Sequence, residues 1–191
     1  MTDMFPVLRV LGILVMTFSL SMGLPLAVSL WTRDGVWFVY LLSMGATMLA
    51  GAWLWWRLRL FRQELQPRHG VMLVSLVWAL LPLSAALPLM LAGHYTGHPL
   101  SFTHAYFEAV SGLTTTGSTV LAGLDALPVS VNVWRTFLQW MGGMGILILA
   151  VAVLPLLGVG GSQLFKAEAA GPLKDTKLTP RMTGTAKGLW G

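Results

Sequence analysis

The chain is 191 residues long, 55% hydrophobic and only 10% charged, with a mean hydropathy of +0.73. Soluble domains carry far more charge, so the composition specifies an integral membrane protein. The net charge of +5 comes without a basic, aromatic-interleaved face on a soluble fold, which argues against nucleic acid as a partner, and the lack of cysteine excludes disulfides and thiolate metal sites. Four uncharged stretches, at residues 10–32, 35–56, 70–93 and 136–161, match the roughly 20 helical residues needed to cross about 30 Å of hydrocarbon. The first is too long for a signal-peptide core. It ends in the polar turn Thr32-Arg33-Asp34-Gly35 instead of a small-residue cleavage site, so it is expected to remain as a helix.

The basic residues fall unevenly along this plan. Arg9, then Arg57, Arg59, Arg62 and Arg68, then Lys166, Lys174, Lys177, Arg181 and Lys187 group on one side, leaving Arg33 and Arg135 on the other. Because Lys and Arg in short loops set orientation, both termini are expected in the cytoplasm, and the sequence pI of about 10.1 reports topology. Trp31, Trp37, Trp53, Trp55, Trp56, Trp134 and Trp140 lie near predicted span ends, as in an interfacial aromatic belt. Pro67 and Gly70 break the connector before the third span. Pro82 and Pro88 within that span either kink it or belong to the irregular packing common in membrane helices.

Ser101, after Pro99, is a candidate N-cap for a helix over residues 102–112, about 16 Å long at 1.5 Å per residue and so roughly half a bilayer. Such a helix re-enters without crossing, and its C-terminal dipole end favours a cation. Gly112 is read as its stop. The sequence then runs through the small polar loop Ser111-Gly-Leu-Thr-Thr-Thr-Gly-Ser-Thr. Non-helical backbone at membrane depth is tolerated where protein buries it or where it lines a water-filled path, and its carbonyls are then available to a dehydrated cation. Thr114, Thr115, Thr116 and Gly117 are the candidate ligands through their backbone carbonyls. Taken alone, the loop fits a Thr/Ser-rich surface turn equally well. A phosphate-cradling loop fits poorly, because no Lys or Arg occurs between Arg68 and Arg135.

The loop motif, together with Trp134-Arg-Thr-Phe-Leu-Gln-Trp-Met-Gly-Gly-Met-Gly-Ile, Leu154-Pro-Leu-Leu-Gly-Val-Gly-Gly-Ser-Gln-Leu-Phe and Lys177-Leu-Thr-Pro-Arg, resembles the TrkH/KtrB-type potassium uptake proteins. The match is specific from about residue 107 to residue 190 and rests on layout over the first two spans. It implies an all-α polytopic membrane protein, two N-terminal transmembrane helices followed by one helix–re-entrant pore loop–helix unit. In this plan residues 1–60 form the helix pair, 61–70 a cytoplasmic connector, 71–161 the first pore unit and 162–191 a cytoplasmic loop leading to a further unit. The resemblance further implies four such units around one pore, each lending a filter strand, with potassium at Thr115, Thr116 and Gly117. It implies uptake across the bacterial cytoplasmic (inner) membrane, with potassium as substrate and no covalent cofactor. The implied partners are membrane lipid, a TrkA-like cytoplasmic nucleotide-binding regulatory subunit, and a second copy in a homodimer of the full-length protein. Since one unit is present, the chain is expected to be an N-terminal fragment of a longer transporter; homotetrameric closure and a non-conducting scaffold subunit are the alternatives. Ser118 and Ala169-Ala170 depart from the family pattern without touching the carbonyl ladder. Preference for potassium over sodium depends on all four strands.

Glu108, Ser111 and Gly112 are expected to support the loop from the short helix. A carboxylate at Glu108 either raises local cation concentration or accepts hydrogen bonds that fix the loop backbone. Gly142, Gly143 and Gly145 are expected to let a neighbouring helix or the pore wall approach closely, Gln139 to hydrogen bond between helices, and Arg135 to snorkel to headgroups. His94, His98 and His104 are poorly spaced for a metal, with Gly97 and Pro99 interrupting any helix that would present them together. Gly158-Val-Gly160-Gly161 follows a membrane helix where a dinucleotide loop would follow a strand. The spans hold no internal Asp, Glu, Lys or His to serve as a base, which disfavours an intramembrane enzyme.

Overall fold

A computed structural model describes residues 4–60 and 67–153. The start of the connector at residue 61, the end of the fourth predicted span, the Gly158-Val-Gly160-Gly161 motif and the basic tail fall outside the described residues. Within them the fold is all-helical: α1 (Phe5–Leu20), α2 (Gly23–Thr32), α3 (Trp37–Leu58), α4 (Pro67–Tyr95), α5 (Phe102–Leu113), a 3-10 turn (Leu124–Ala126) and α6 (Val129–Val153). Long apolar runs adopt helices because lipid offers the backbone no partner, so each segment must satisfy its own N–H and C=O groups. Three stretches are long and apolar enough to span a bilayer: Phe5–Thr32, Trp37–Leu58 and His69–Tyr95. Of the described residues, those up to Met141 belong to one compact unit and those from Gly142 to a second, and the packing described below lies in the first.

The first span is two helices in series. Pro25 has no N–H to give the Ser21 carbonyl, and the chain tightens there, with Ser21 N–H on Phe18 O at 3.0 Å and Met22 N–H on Ser19 O at 3.1 Å. The fourth helix begins at Val129, not at residue 136, and so takes Trp134 and Arg135 inside. Trp140 accordingly stands mid-helix and Trp134 is fully buried, so neither belongs to an interfacial belt.

The core joins α3, α4, α5 and α6 through Tyr40, Ala85, Leu89, Ala105, Ala109, Trp134 and Leu138. Alanines at 105 and 109 lie one turn apart on α5 and let this short helix sit against its neighbours. Two side chains reach the α4 backbone: Trp134 Nε1 donates to Ala85 O and Tyr106 Oη to Ala79 O, each at 3.0 Å. Both acceptors lie three residues before a helix proline, Pro88 and Pro82, in the turn that a proline opens, so the neighbours satisfy what the prolines disturb. On the other side α1 packs chiefly on α3. A Cβ at Gly12 would stand 3.0 Å from Gly51 O, and one at Gly51 would stand 2.8 Å from Gly12 O, so glycine at both positions is what permits this crossing.

Candidate functional site

The site grows from the C-terminus of α5. Ser101 caps the other end as expected, its Oγ accepting from His104 N–H at 3.2 Å. At the C-terminus the helix runs through Gly112 to Leu113, and the left-handed residue that ends it is Thr115, at φ 59°. Gly112 is therefore not the stop. It lies in the last turn, where a Cβ would come within 3.0 Å of Leu138 Cβ, so its missing side chain serves the packing of α5 on α6.

Thr115 N–H donates to Gly112 O at 2.9 Å and Thr116 N–H to Ser111 O at 2.9 Å, the paired bonds of a Schellman ending. Thr114 N–H reaches Val110 O at 2.8 Å, and Gly117 N–H reaches Ser111 O at 3.4 Å. Four successive amides thus point back into α5. The carbonyls of Thr115, Thr116 and Gly117 receive no hydrogen bond among the described residues, and all three residues are exposed. A threonine in the left-handed region costs about 1–2 kcal/mol, which the surrounding bonds must hold in place. Gly117, at φ 73°, takes a similar angle without that cost.

Side chains set the loop on both flanks. Thr114 Oγ1 lies 2.8 Å from Val110 O and 2.8 Å from Thr116 Oγ1, and Thr115 Oγ1 donates to Thr114 O at 2.6 Å. Buried Ser111 donates from Oγ to Ser118 O at 2.7 Å. Glu108, 4% exposed, takes Thr119 Oγ1 at 2.6 Å and Val120 N–H at 2.7 Å on Oε1, and Arg135 Nε at 3.0 Å on Oε2. Of the two roles open to Glu108, the geometry matches the one that fixes the loop. Its charge is neutralised at contact distance by Arg135, which leaves little net field for gathering cations. Arg135 does not snorkel, being held between Glu108 and Asn132 Oδ1, the latter at 3.5 Å. Asn132 Nδ2 in turn donates to Leu124 O at 2.7 Å, holding the 3-10 turn.

Asp34 is a site residue that the sequence gives little reason to single out. From the α2–α3 loop its Oδ2 accepts Ser130 N–H at 3.0 Å, capping the first turn of α6, while Oδ1 takes Val36 N–H at 3.3 Å and the Ser29 hydroxyl. Partial burial opposes its ionisation. Hydrogen bonds from Ser130, the Ser29 hydroxyl and the Val36 amide outweigh that and hold the carboxyl below its ordinary value of 3.8. Gln139 makes no hydrogen bond among the described residues; its Nε2 lies 4.0 Å from where a Gly117 Cβ would stand, so it borders the loop instead of bridging helices. Gly142, Gly143 and Gly145 lie within α6 in the second unit, and a Cβ at Gly145 would meet nothing within 4 Å among the described residues. Among the described residues a Cβ would meet backbone or a core side chain at 3.0 Å or less at Gly12, Gly51, Gly93 and Gly112.

The chain is similar to known proteins along nearly its whole length. It is 50% identical over 184 residues to the Trk system potassium uptake protein TrkH of Halomonas elongata, covering 96% of this chain and 38% of that protein. It is 47% identical over 183 residues to the protein of the same name in Escherichia coli, covering 95% and 37%. The crystal structure of the potassium transporter TrkH from Vibrio parahaemolyticus superposes with a TM-score of 0.79 at 39% identity, over 97% of this chain and 36% of that one. The chain thus spans a little over a third of the length of the relatives it matches. The TrkH family model, described as a cation transport protein, matches residues 38–191, and the chain belongs to this family of membrane transporters, which are not enzymes.

Proposed function

We propose that the chain supplies one strand of the ion-selective path of a potassium uptake transporter, with residues 71–161 as a pore unit and residues 1–60 as a helix pair packed beside it. One observation carries the reading: Thr115, Thr116 and Gly117 are exposed, their three consecutive carbonyls receive no hydrogen bond among the described residues, and their amides are tied back to α5, which fixes the strand. A dehydrated monovalent cation needs oxygen ligands in place of water, and carbonyls held by rigid backbone supply them without covalent chemistry. Potassium is the substrate in this reading, supported by the names of the relatives, and it moves inward down its electrochemical gradient. Ser111, Gly112 and Glu108 hold the strand, and equivalent strands would complete the ring.

The proposal extends to placement and partners. The loop-bearing end faces outward and both ends of the chain face the cytoplasm of a bacterial inner membrane. Arg9, Arg57 and Arg59, all at the opposite end of α1 and α3, support this orientation. A cytoplasmic nucleotide-binding regulatory subunit and a second copy of the full-length protein are the partners proposed, a reading supported by the chain's likeness to membrane proteins of the Trk system. The test is rubidium uptake by the full-length protein carrying Gly117→Asp, which places a strained, charged side chain at the carbonyl ladder. Uptake is expected to fall about tenfold or more at unchanged protein level, the effect of roughly 1.4 kcal/mol on a barrier. Unchanged uptake would mean that the loop conducts nothing and that the chain is a scaffold.

A further inference from the structure

We infer that the α1–α3 pair carries a binding site for the phosphodiester headgroup of an anionic phospholipid, formed by Arg9, Trp55 and Arg59 at the end remote from the 114–117 loop. Gly51 and Trp55 are four apart on one face of α3 and Arg59, four further on, is the helical-conformation cap that continues that face, while Arg9 lies three residues before Gly12 on α1. The Gly12–Gly51 contact brings the two backbones together, with Trp55 N 3.0 Å from a Gly12 Cβ. Beyond that contact a crevice of about 440 Å³ opens, lined by Arg9, Trp55, Arg59 and Leu60.

Its chemistry is one-sided. Arg9 Nε is buried without a hydrogen-bond partner among the described residues. The Arg59 guanidinium stands over the Trp56 ring at 5.7 Å from the centroid, a cation–π contact that holds the charge at this end of α3. The acidic residues among those described, Asp34, Glu108 and Asp125, all belong to the loop end. A buried guanidinium donor requires an acceptor, and two non-bridging phosphate oxygens suit paired arginine forks. Basic pockets between membrane helices take such headgroups. The occupant is a lipid and not free phosphate because the lining includes the exposed apolar Leu60, and Ile13 and Leu14, one turn and more beyond Arg9 on the membrane-spanning α1, are exposed as well, which gives acyl chains an apolar surface.

The experiment is native mass spectrometry of the full-length protein in micelles holding equal mole fractions of phosphatidylglycerol and phosphatidylcholine. Each arginine is expected to favour the anionic lipid by about fivefold, so Arg59→Gln lowers the preference about fivefold and Arg9→Gln/Arg59→Gln brings it close to one. Arg33→Gln, at the loop end, is expected to leave it unchanged. Arg59 is exposed, so its single variant decides the matter even where the double variant fails to fold. Equal retention of both lipids by the unaltered protein, or an undiminished preference in Arg59→Gln, overturns the proposal. So does displacement of the lipid by millimolar inorganic phosphate, which marks a free-anion site.

Discussion

Neutralising Glu108 tests whether this carboxylate positions the loop or draws cations to it. Its side chain is 2% exposed and that of Arg135 13%, so the pair is effectively dry. Glu108→Gln leaves an acceptor for Thr119 and Val120 but turns an uncharged amide toward Arg135, stranding a buried guanidinium. Breaking one side of a buried pair costs about 3–5 kcal/mol. At roughly 2–4 °C per kcal/mol for a domain of this size, the melting temperature should fall by about 6–20 °C. Arg135→Gln should cost a similar amount by stranding the carboxylate. The double variant Glu108→Gln/Arg135→Gln carries two amides that can bond each other and leaves no buried charge. It should melt no lower than the worse single variant, giving a coupling of about 2 kcal/mol or more. The assay is thermal unfolding of purified full-length protein followed by tryptophan fluorescence, with rubidium uptake measured in parallel. Uptake should drop in each single variant and recover partly in the double one, because the loop is again braced without any charge. Strictly additive melting shifts, or uptake that stays lost in a double variant of normal stability, would refute the positioning role.

Two other perturbations follow from the same packing. Gly51→Ala drives a Cβ to 2.8 Å from both Gly12 O and Met16 Cγ, and overpacking of this kind costs about 1–3 kcal/mol; Gly45→Ala on the same helix meets nothing within 4 Å and should be neutral or slightly stabilising in a melting assay. For Asp34, whose folded carboxyl titrates below the unfolded one, the contribution to stability is complete above about pH 4 and is lost as pH falls through the folded value. Asp34→Asn should therefore lower the melting temperature at pH 7 and flatten its decline below pH 4, and an acid profile identical to that of the unaltered protein would exclude Asp34 as a source of acid sensitivity.

What the sequence discloses is what depends on neighbours along the chain. The first three spans, the Ser101 cap and the polar loop all rest on local composition or spacing, and each has its counterpart among the described residues. What it conceals depends on distance. Asp34 and Ser130 are 96 positions apart, and nothing in a polar turn says that it will cap a later helix. The Gly12–Gly51 crossing looks like two ordinary glycines in two apolar runs. Arg135 was more accessible to inference: a charge entering an apolar helix needs a counter-charge, and between Arg68 and Arg135 only Glu108 and Asp125 could supply one. The sequence points to Gly112 as the helix stop because glycine is the usual left-handed residue, whereas in the structure surrounding bonds hold Thr115 in that conformation and release Gly112 for contact with α6.

The curvature of the 114–117 segment is decided by bonds to residues 110–112 of the same chain. A segment shaped in this way has its form before any neighbour arrives. Copying the stretch of sequence copies the shape with it, so gene duplication can multiply the segment without inventing a new mould for each copy. The copies are then free to diverge on their outward faces, where the demands of lipid, subunits and regulation differ, while their inner edges remain alike.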